Sequence, residues 1–311
     1  MRSDDETTPR RRERRRLATT RLILALLTWP LIQNVRAEEP PPSNQTPPAA
    51  HDKEERPYWR TNIFKRVFSD QKFLVTQWWP AEFRKPGFTI PLAGATLLAL
   101  TSQHASDEAY DFEIGDAIDD ATGTSSNGVA GKFTQLGNGP AVAALLGVTY
   151  LSARWSGHDH MARTSSLATE SMLDAGIWIE VLKHTFARVR PNNPDAGRFF
   201  MYGGAESNSC PSGHAMGAFA VATVFAGEYR DKRWVPWVAY GTAGLISASR
   251  VALGRHFPSD VVVGGIMGNS IGRGVLARQH GDDLNRPWLS RFTPLIDPAR
   301  AGIGIAYTYS W

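Results

Sequence analysis

Three short clusters between Lys183 and Asp260, a span of 78 residues, bring together residue types that suit one charged oxyanion. The first is Lys183-x6-Arg190-Pro191, the second Pro211-Ser212-Gly213-His214, and the third Ser249-Arg250-x5-His256-x3-Asp260. They supply three fixed cations, two imidazoles and one carboxylate. If Lys183 and Arg190 share a helix, seven residues make two turns and both side chains emerge on one face. Pro191 then ends that helix. Ser212 and Gly213 precede an apolar run, Ala215 to Phe225, that reads as a helix. The start of such a helix offers unpaired N–H groups and a positive dipole end, and glycine lets backbone approach an oxyanion closely. The Ser212 hydroxyl adds a donor. His256 and Asp260 stand four apart with Pro258 suited to a first helical turn, so the carboxylate is expected to reach the imidazole and fix its tautomer.

Each cluster has a plainer reading by itself. Lys-x6-Arg is ordinarily a solvated helix face, Ser-Gly-His ordinarily a turn, and His256 with Asp260 serves equally well as a structural pair. Together and in order they are a different matter, because chance has to satisfy every spacing at once.

On these residues the chain resembles the phosphatidic acid phosphatase type 2 and vanadium haloperoxidase superfamily, whose three-part signature it matches without a substitution. The resemblance covers about a quarter of the chain directly and, more loosely, residues 88 to 280. It implies that His256 is a nucleophile forming a phosphohistidine and that Asp260 orients and polarises it. His214 would protonate the leaving oxygen and later activate water. Lys183, Arg190, Ser212, the Gly213 N–H and Arg250 would hold the phosphoryl oxygens, as positioning and charge stabilisation dominate phosphoryl transfer. That scheme needs no metal and no cofactor. The expected partner is a phosphate ester or lipid phosphate. Two rival readings keep the pocket: a haloperoxidase, in which vanadate replaces the phosphoryl group on His256, and a non-catalytic envelope protein that holds anionic lipid head groups.

The elements that must position these groups read as helices. Phe88–Thr101, Asp111–Asp120, Pro140–Ala153, Ser166–Phe186, Ala215–Tyr229, Val235–Leu253 and Asp260–Arg278 are separated by Gly, Pro, Asn and Asp signals, and no run of alternating strands interrupts them. The expected fold is all-α, a bundle of about six core helices with the site at one end. The 311 residues, 42% of them hydrophobic, supply ample core. Only the C-terminus changes period: Ala301 to Trp311 alternates like a strand, for which the run from Thr293 to Arg300 offers no clear mate.

The remaining segments divide the chain. Residues 1–37 read as an export signal, with arginines from Arg10 to Arg16, an apolar run from Leu22 to Ile32, and Val35-Arg36-Ala37 before the cut. Much of the basic excess behind the net charge of +4 lies there, which argues for targeting and against nucleic acid. A retained anchor is the alternative, although eleven residues fall short of the ~20 a span requires. Residues 38–57 form a Pro-rich linker. Residues 58–87 form a basic, aromatic arm that either packs over the bundle or lies on a membrane surface. The domain proper is 88–280, followed by a tail over 281–311.

Glu170, Asp174, Glu180 and Lys183 make the Ser166 helix a poor membrane span, and mean hydropathy is −0.28. A soluble or peripherally attached periplasmic domain is therefore expected, with oligomeric state left open. The single cysteine, Cys210, excludes an internal disulfide and reads as a packing residue beside the pocket. His158-Asp159-His160 reads either as a polar turn between helices, with the substrate entrance as one place for it, or as part of a metal site if further ligands arrive. His104 and His184 show no partner, and His280 falls in a polar tail.

Overall fold

In the computed structural model the described residues are 58–101, Asp111, Glu113, Ile114 and Ala117, 129–202, 207–280 and two short strands. The expected signal, the linker and His104 lie outside them. After a 3-10 turn at Tyr58–Arg60, the helices are α1 (Ile63–Phe73), which runs through a π-helical stretch into α2 (Trp79–Glu82), then α3 (Pro86–Thr101) and α4 (Val129–Leu136). They continue with α5 (Gly139–Trp155), α6 (Asp159–Phe186), α7 (Gly213–Glu228), α8 (Trp234–Ala252) and α9 (Pro258–His280). The all-α reading holds for the body of the chain. The short α4 was missed, and α6 begins seven residues before Ser166 because Asp159 opens its first turn.

The central helix is α7, which packs against α9, α8 and α6; α5 and α1 lie on α6, α3 on α9, and α4 on α8. Its contact with α9 is close because Gly264, Gly268 and Gly272 recur every fourth residue and so share one face. A Cβ at Gly264 would lie 2.6 Å from the Ser212 carbonyl oxygen and one at Gly272 2.7 Å from that of Ala220; at Gly268 it would run into the Met216 carbonyl. This stripe brings the start of α9, with Asp260, against the start of α7, with Ser212. The Ser212 N–H donates to the Asp260 carbonyl at 3.0 Å.

The aromatic arm packs on the bundle. Trp78 and Trp79 are buried in the same core as Met216, Met267 and Ile271, and the Trp78 indole N–H donates to the Ser270 carbonyl at 3.0 Å. Beneath α1 lies a buried polar cluster: Arg66 pairs with Glu170 at 2.9 Å, Gln71 donates to Asp174 at 2.7 Å, and Asp70 accepts from Tyr58 and Arg278. Removal from water pushes the Glu170 and Asp174 carboxyls well above the usual range, and neighbouring Asp70 adds to the effect.

The outward faces of α3, α5 and α8 are apolar. Ile90, Leu97 and Leu100, then Leu145, Val148 and Leu151, then Trp234, Trp237, Val238 and Leu245 are exposed, and Trp155 is 94% exposed. No single described helix is long and apolar enough to cross a membrane; Ala130–Leu136 and Gly139–Trp155, bent by 55°, meet that length and composition together.

The C-terminal strand, Gly302–Tyr307 (β2), does have a mate. It pairs antiparallel with Phe292–Asp297 (β1), Phe292 opposite Tyr307 and Asp297 opposite Gly302. The expectation that the run from Thr293 to Arg300 offers no mate is corrected here; Pro294 falls within that strand, a position a two-stranded ribbon tolerates because each of its strands is an edge strand.

Candidate active site

The three clusters arrive at one end of the bundle. Lys183 lies on the last turn of α6, which closes at Phe186; Ala187 is left-handed (φ 40°) and its N–H donates to the Lys183 carbonyl at 2.8 Å. Arg190 is therefore not on a helix with Lys183, and the two-turn, one-face geometry does not apply. Beyond Ala187 the backbone finds other partners: Val189 N–H donates to Arg198 O at 2.9 Å, Gly197 N–H to Val189 O at 3.2 Å and Phe200 N–H to Phe186 O at 2.8 Å. These bonds fold the loop back on itself and end the helix before Pro191 could. Arg190 still joins the site, with its Nε donating to Asn208 Oδ1 at 2.7 Å.

Ser212 is the N-cap of α7, in an extended conformation. Its hydroxyl is fully buried and has no hydrogen-bond partner among the described residues. Gly213, His214 and Ala215 follow as the first helical residues, whose N–H groups have no carbonyl one turn back. Beside the His214 ring stands Gly137, where a Cβ would lie 2.9 Å from His214 Cδ2. Arg250, near the end of α8, donates from one terminal nitrogen to Thr134 Oγ1 at 2.7 Å, while its buried Nε has no partner among the described residues.

His256 is buried just before α9. Its Nδ1 lies 2.7 Å from the Ser209 carbonyl oxygen, which can only accept, so Nδ1 carries the hydrogen and the lone pair of the neutral ring is at Nε2. The expectation that Asp260 fixes this tautomer directly is corrected here. Asp260 Oδ2 stands 3.9 Å from His256 Nδ1, beyond hydrogen-bond reach. The carboxylate is taken up by Arg188 at 2.5 Å on Oδ1, and by the Ser209 hydroxyl at 2.5 Å and the Phe257 N–H at 3.0 Å on Oδ2.

Electrostatics confirm the convergence. Burial lowers the His214 pKa to about 4, assisted by the charges of Arg250, His256, Lys183 and Arg190. Burial and then Arg190 lower Lys183; burial, Arg190 and Arg255 lower Arg250 to about 10. His256 is lowered by burial against the opposing pull of Asp260. Burial alone would raise Asp260, but Arg188 and His256 hold its carboxyl well below the usual range. A group of cations that depress one another, beside a buried hydroxyl and a guanidinium nitrogen with no partner among the described residues, has the charge to attract an anion. All eight residues selected from the sequence thus meet at this end of the bundle.

Others were not foreseen. Arg188, Ser209, Asp111, Ser259, Thr134 and Asn208 sit around the eight, and only the run Arg188-Val189-Arg190 carried any signal, a second arginine two residues from the first. Cys210 is buried, and burial pushes its thiol up, as befits a packing residue. The His158–His160 turn joins α5 to α6, at the opposite end of a 28-residue helix from the site, roughly 40 Å away. Asp159 there pairs with Arg60 and Arg154, and among the described residues no group of His, Cys, Asp or Glu has a metal-binding arrangement. His280 closes α9 and meets Glu228 Oε1 at 2.5 Å, so it belongs to the bundle and not to a polar tail.

Residues 165–282 match the model of the PAP2 superfamily. Over 192 residues, 59% of this chain, the sequence is 30% identical to the lipid A 1-phosphatase of Porphyromonas gingivalis. The match spans 36% of that relative's length, so the chain corresponds to about a third of it. Among solved structures, Aquifex aeolicus LpxE is similar at 24% identity over 55% of this chain and 96% of that one, with a TM-score of 0.45. The first transmembrane PAP2 type phosphatidylglycerolphosphate phosphatase from Bacillus subtilis is similar at 22% identity over 60% and 94%, with a TM-score of 0.44.

Proposed function

We propose that this chain is an exported, metal-independent phosphatase that hydrolyses a lipid phosphate or related phosphomonoester through a phosphohistidine at His256. The observation that carries the reading is the neutral His256 ring, held by the Ser209 carbonyl with its Nε2 lone pair available beside the converging cations Lys183, Arg190 and Arg250. Lys183, Arg190 and Arg250, with the Ser212 hydroxyl and the first N–H groups of α7, neutralise the phosphoryl oxygens. His256 Nε2 attacks phosphorus, the phosphorus–oxygen bond to the leaving group breaks, and His214 donates the proton that this oxygen takes up. Water then attacks the phosphohistidine, gives a proton to His214 and releases phosphate, which restores both rings.

A lipid phosphate is favoured over a soluble ester by two observations: the likeness to a lipid A 1-phosphatase, and the apolar outward faces of α3, α5 and α8, which suit a membrane-associated protein. The test is phosphate release from lipid and water-soluble esters by protein lacking residues 1–37, with and without a chelator. His256→Ala should abolish turnover and the acid-labile phosphoenzyme while circular dichroism stays unchanged. A folded variant with wild-type rate would overturn the assignment. The same protein should co-sediment with phosphatidylethanolamine–phosphatidylglycerol vesicles, and complete recovery in the supernatant would refute membrane association.

A further inference from the structure

Arg188 belongs to none of the three clusters, yet it is fully buried at their junction. Its guanidinium spans two carboxylates: one terminal nitrogen lies 2.5 Å from Asp260 Oδ1 and 2.8 Å from Ser259 Oγ, the other 2.8 Å from Asp111 Oδ2. The rings of Phe257 and Phe199 lie 4.0 and 5.0 Å from its central carbon and confine the plane of the fork. Asp111 in turn accepts from the Ser259 N–H at 3.0 Å and from its hydroxyl at 2.5 Å, which ties the outer carboxylate to the first turn of α9. The backbone of Arg188 acts as well: its carbonyl accepts from the Ser209 N–H at 2.9 Å.

Ser209 and Asp260 are the two groups that face His256 Nδ1, one through its carbonyl at 2.7 Å and one through its carboxylate at 3.9 Å. They are also joined to each other by the Ser209 hydroxyl. We propose that Arg188 is a positioning residue for His256: its carbonyl, bound to the Ser209 N–H, and its guanidinium, clamped between Asp260 and Asp111, fix the Ser209 carbonyl that accepts from Nδ1 and the Asp260 carboxylate beside it, so that the imidazole is held with Nε2 free. The role in turnover rests on the phosphatase reading above; the role in orienting the ring does not. Arginine is required because only a planar fork reaches two carboxylates in fixed directions, whereas an ammonium offers a single point charge.

The experiment uses the full chain and compares wild type with Arg188→Lys and Asp111→Ala. Three quantities are read: the 15N shifts of the His256 ring, the affinity for inorganic phosphate, and phosphate release from p-nitrophenyl phosphate and from phosphatidate in mixed micelles. In wild type the ring nitrogens should report the Nδ1–H tautomer. Arg188→Lys should shift them toward a tautomer mixture and lower kcat about a hundredfold. KM and the phosphate dissociation constant should stay within twofold, since Arg188 binds the Asp260 and Asp111 carboxylates and the substitution leaves Lys183, Arg190 and Arg250 in place to hold phosphate. A role confined to stability would lower the melting temperature and leave the tautomer and kcat of the folded fraction alone. If Arg188→Lys does not fold, Asp111→Ala decides, because it frees the outer half of the clamp and keeps the buried cation paired; about a tenfold loss in kcat and displaced 15N shifts are expected. Folded variants with unchanged ring shifts overturn the proposal. If wild type releases no phosphate from either ester, the phosphatase reading fails and the ring shifts alone judge the positioning role.

Discussion

Protonation of His214 and binding of an anion should be linked, and the size of the linkage can be worked from the site. The ring titrates at about 4 instead of its ordinary 6.5 because burial and the charges of Arg250, His256, Lys183 and Arg190 all disfavour the imidazolium. A tetrahedral dianion among those cations offsets the part of the shift that their repulsion causes, while the larger part due to burial stays, so its arrival should raise the ring part of the way back toward 6.5. Linkage is reciprocal: whatever the anion does to the proton, the proton does to the anion. A gap of about 2.5 units would make binding at most about 300-fold tighter below pH 4 than above pH 7, and solvent screening of this half-buried ring reduces the expectation to tens of fold. Sulfate is the right probe, since it stays a dianion throughout and leaves only protein groups to titrate. Calorimetry between pH 4.5 and 7.5 at fixed ionic strength should show affinity rising as pH falls, with proton uptake on binding. His256 faces the same anion and also sits below its usual value, so His256→Gln is measured in parallel. His214→Gln should remove most of the slope. Sulfate affinity that ignores pH, or a slope that survives His214→Gln undiminished, would refute the reasoning. In the turnover proposed above, the same linkage would let a bound phosphate ester promote protonation of His214, the proposed general acid.

Three other outcomes follow from the same geometry. His214→Ala should cost alkyl phosphates at least a hundredfold more rate than p-nitrophenyl phosphate, because an acid matters most where the departing oxygen is basic; equal losses would remove His214 from that role. Gly268→Ala pushes a methyl group into the Met216 carbonyl across the α7–α9 contact and should cost about 1–3 kcal/mol, seen as a melting temperature several degrees lower; an unchanged melting temperature would mean that the two helices separate freely. The raised Asp174 carboxyl binds its proton more tightly in the folded chain than in the unfolded one, so the stability it contributes is complete below the unfolded value near ~4 and is lost as pH rises through the folded value. Melting temperature should therefore fall toward alkaline pH, and Asp174→Asn should flatten that fall; an identical slope in the variant would show that the proton is held elsewhere.

Much of this could be read from one dimension. The helices were legible because their apolar runs are long and end at Gly, Pro, Asn and Asp, and the eight site residues because their types and spacings make sense only together. What was not legible depends on contact between distant segments. Nothing in Val129–Leu136 marks Thr134 as the partner of Arg250, and Glu170 and Asp174 gave no sign of lying against Asp70. The end of α6 was misjudged for the Lys183–Arg190 pair because Pro191 is a visible breaker, while the bonds that stop the chain at Ala187 come from Arg198 and Phe200, further along the loop.

The tautomer of His256 shows where the division falls. From the order of residues alone it follows that an imidazole and a carboxylate stand four positions apart where α9 begins, since spacing along the chain is a local property. That the Ser209 carbonyl holds the ring while Asp260 turns to Arg188 follows only from how the chain packs. A hydrogen bond is settled by distances of a few tenths of an ångström, and those are set by how α6, α7 and α9 pack, a quantity no local spacing contains.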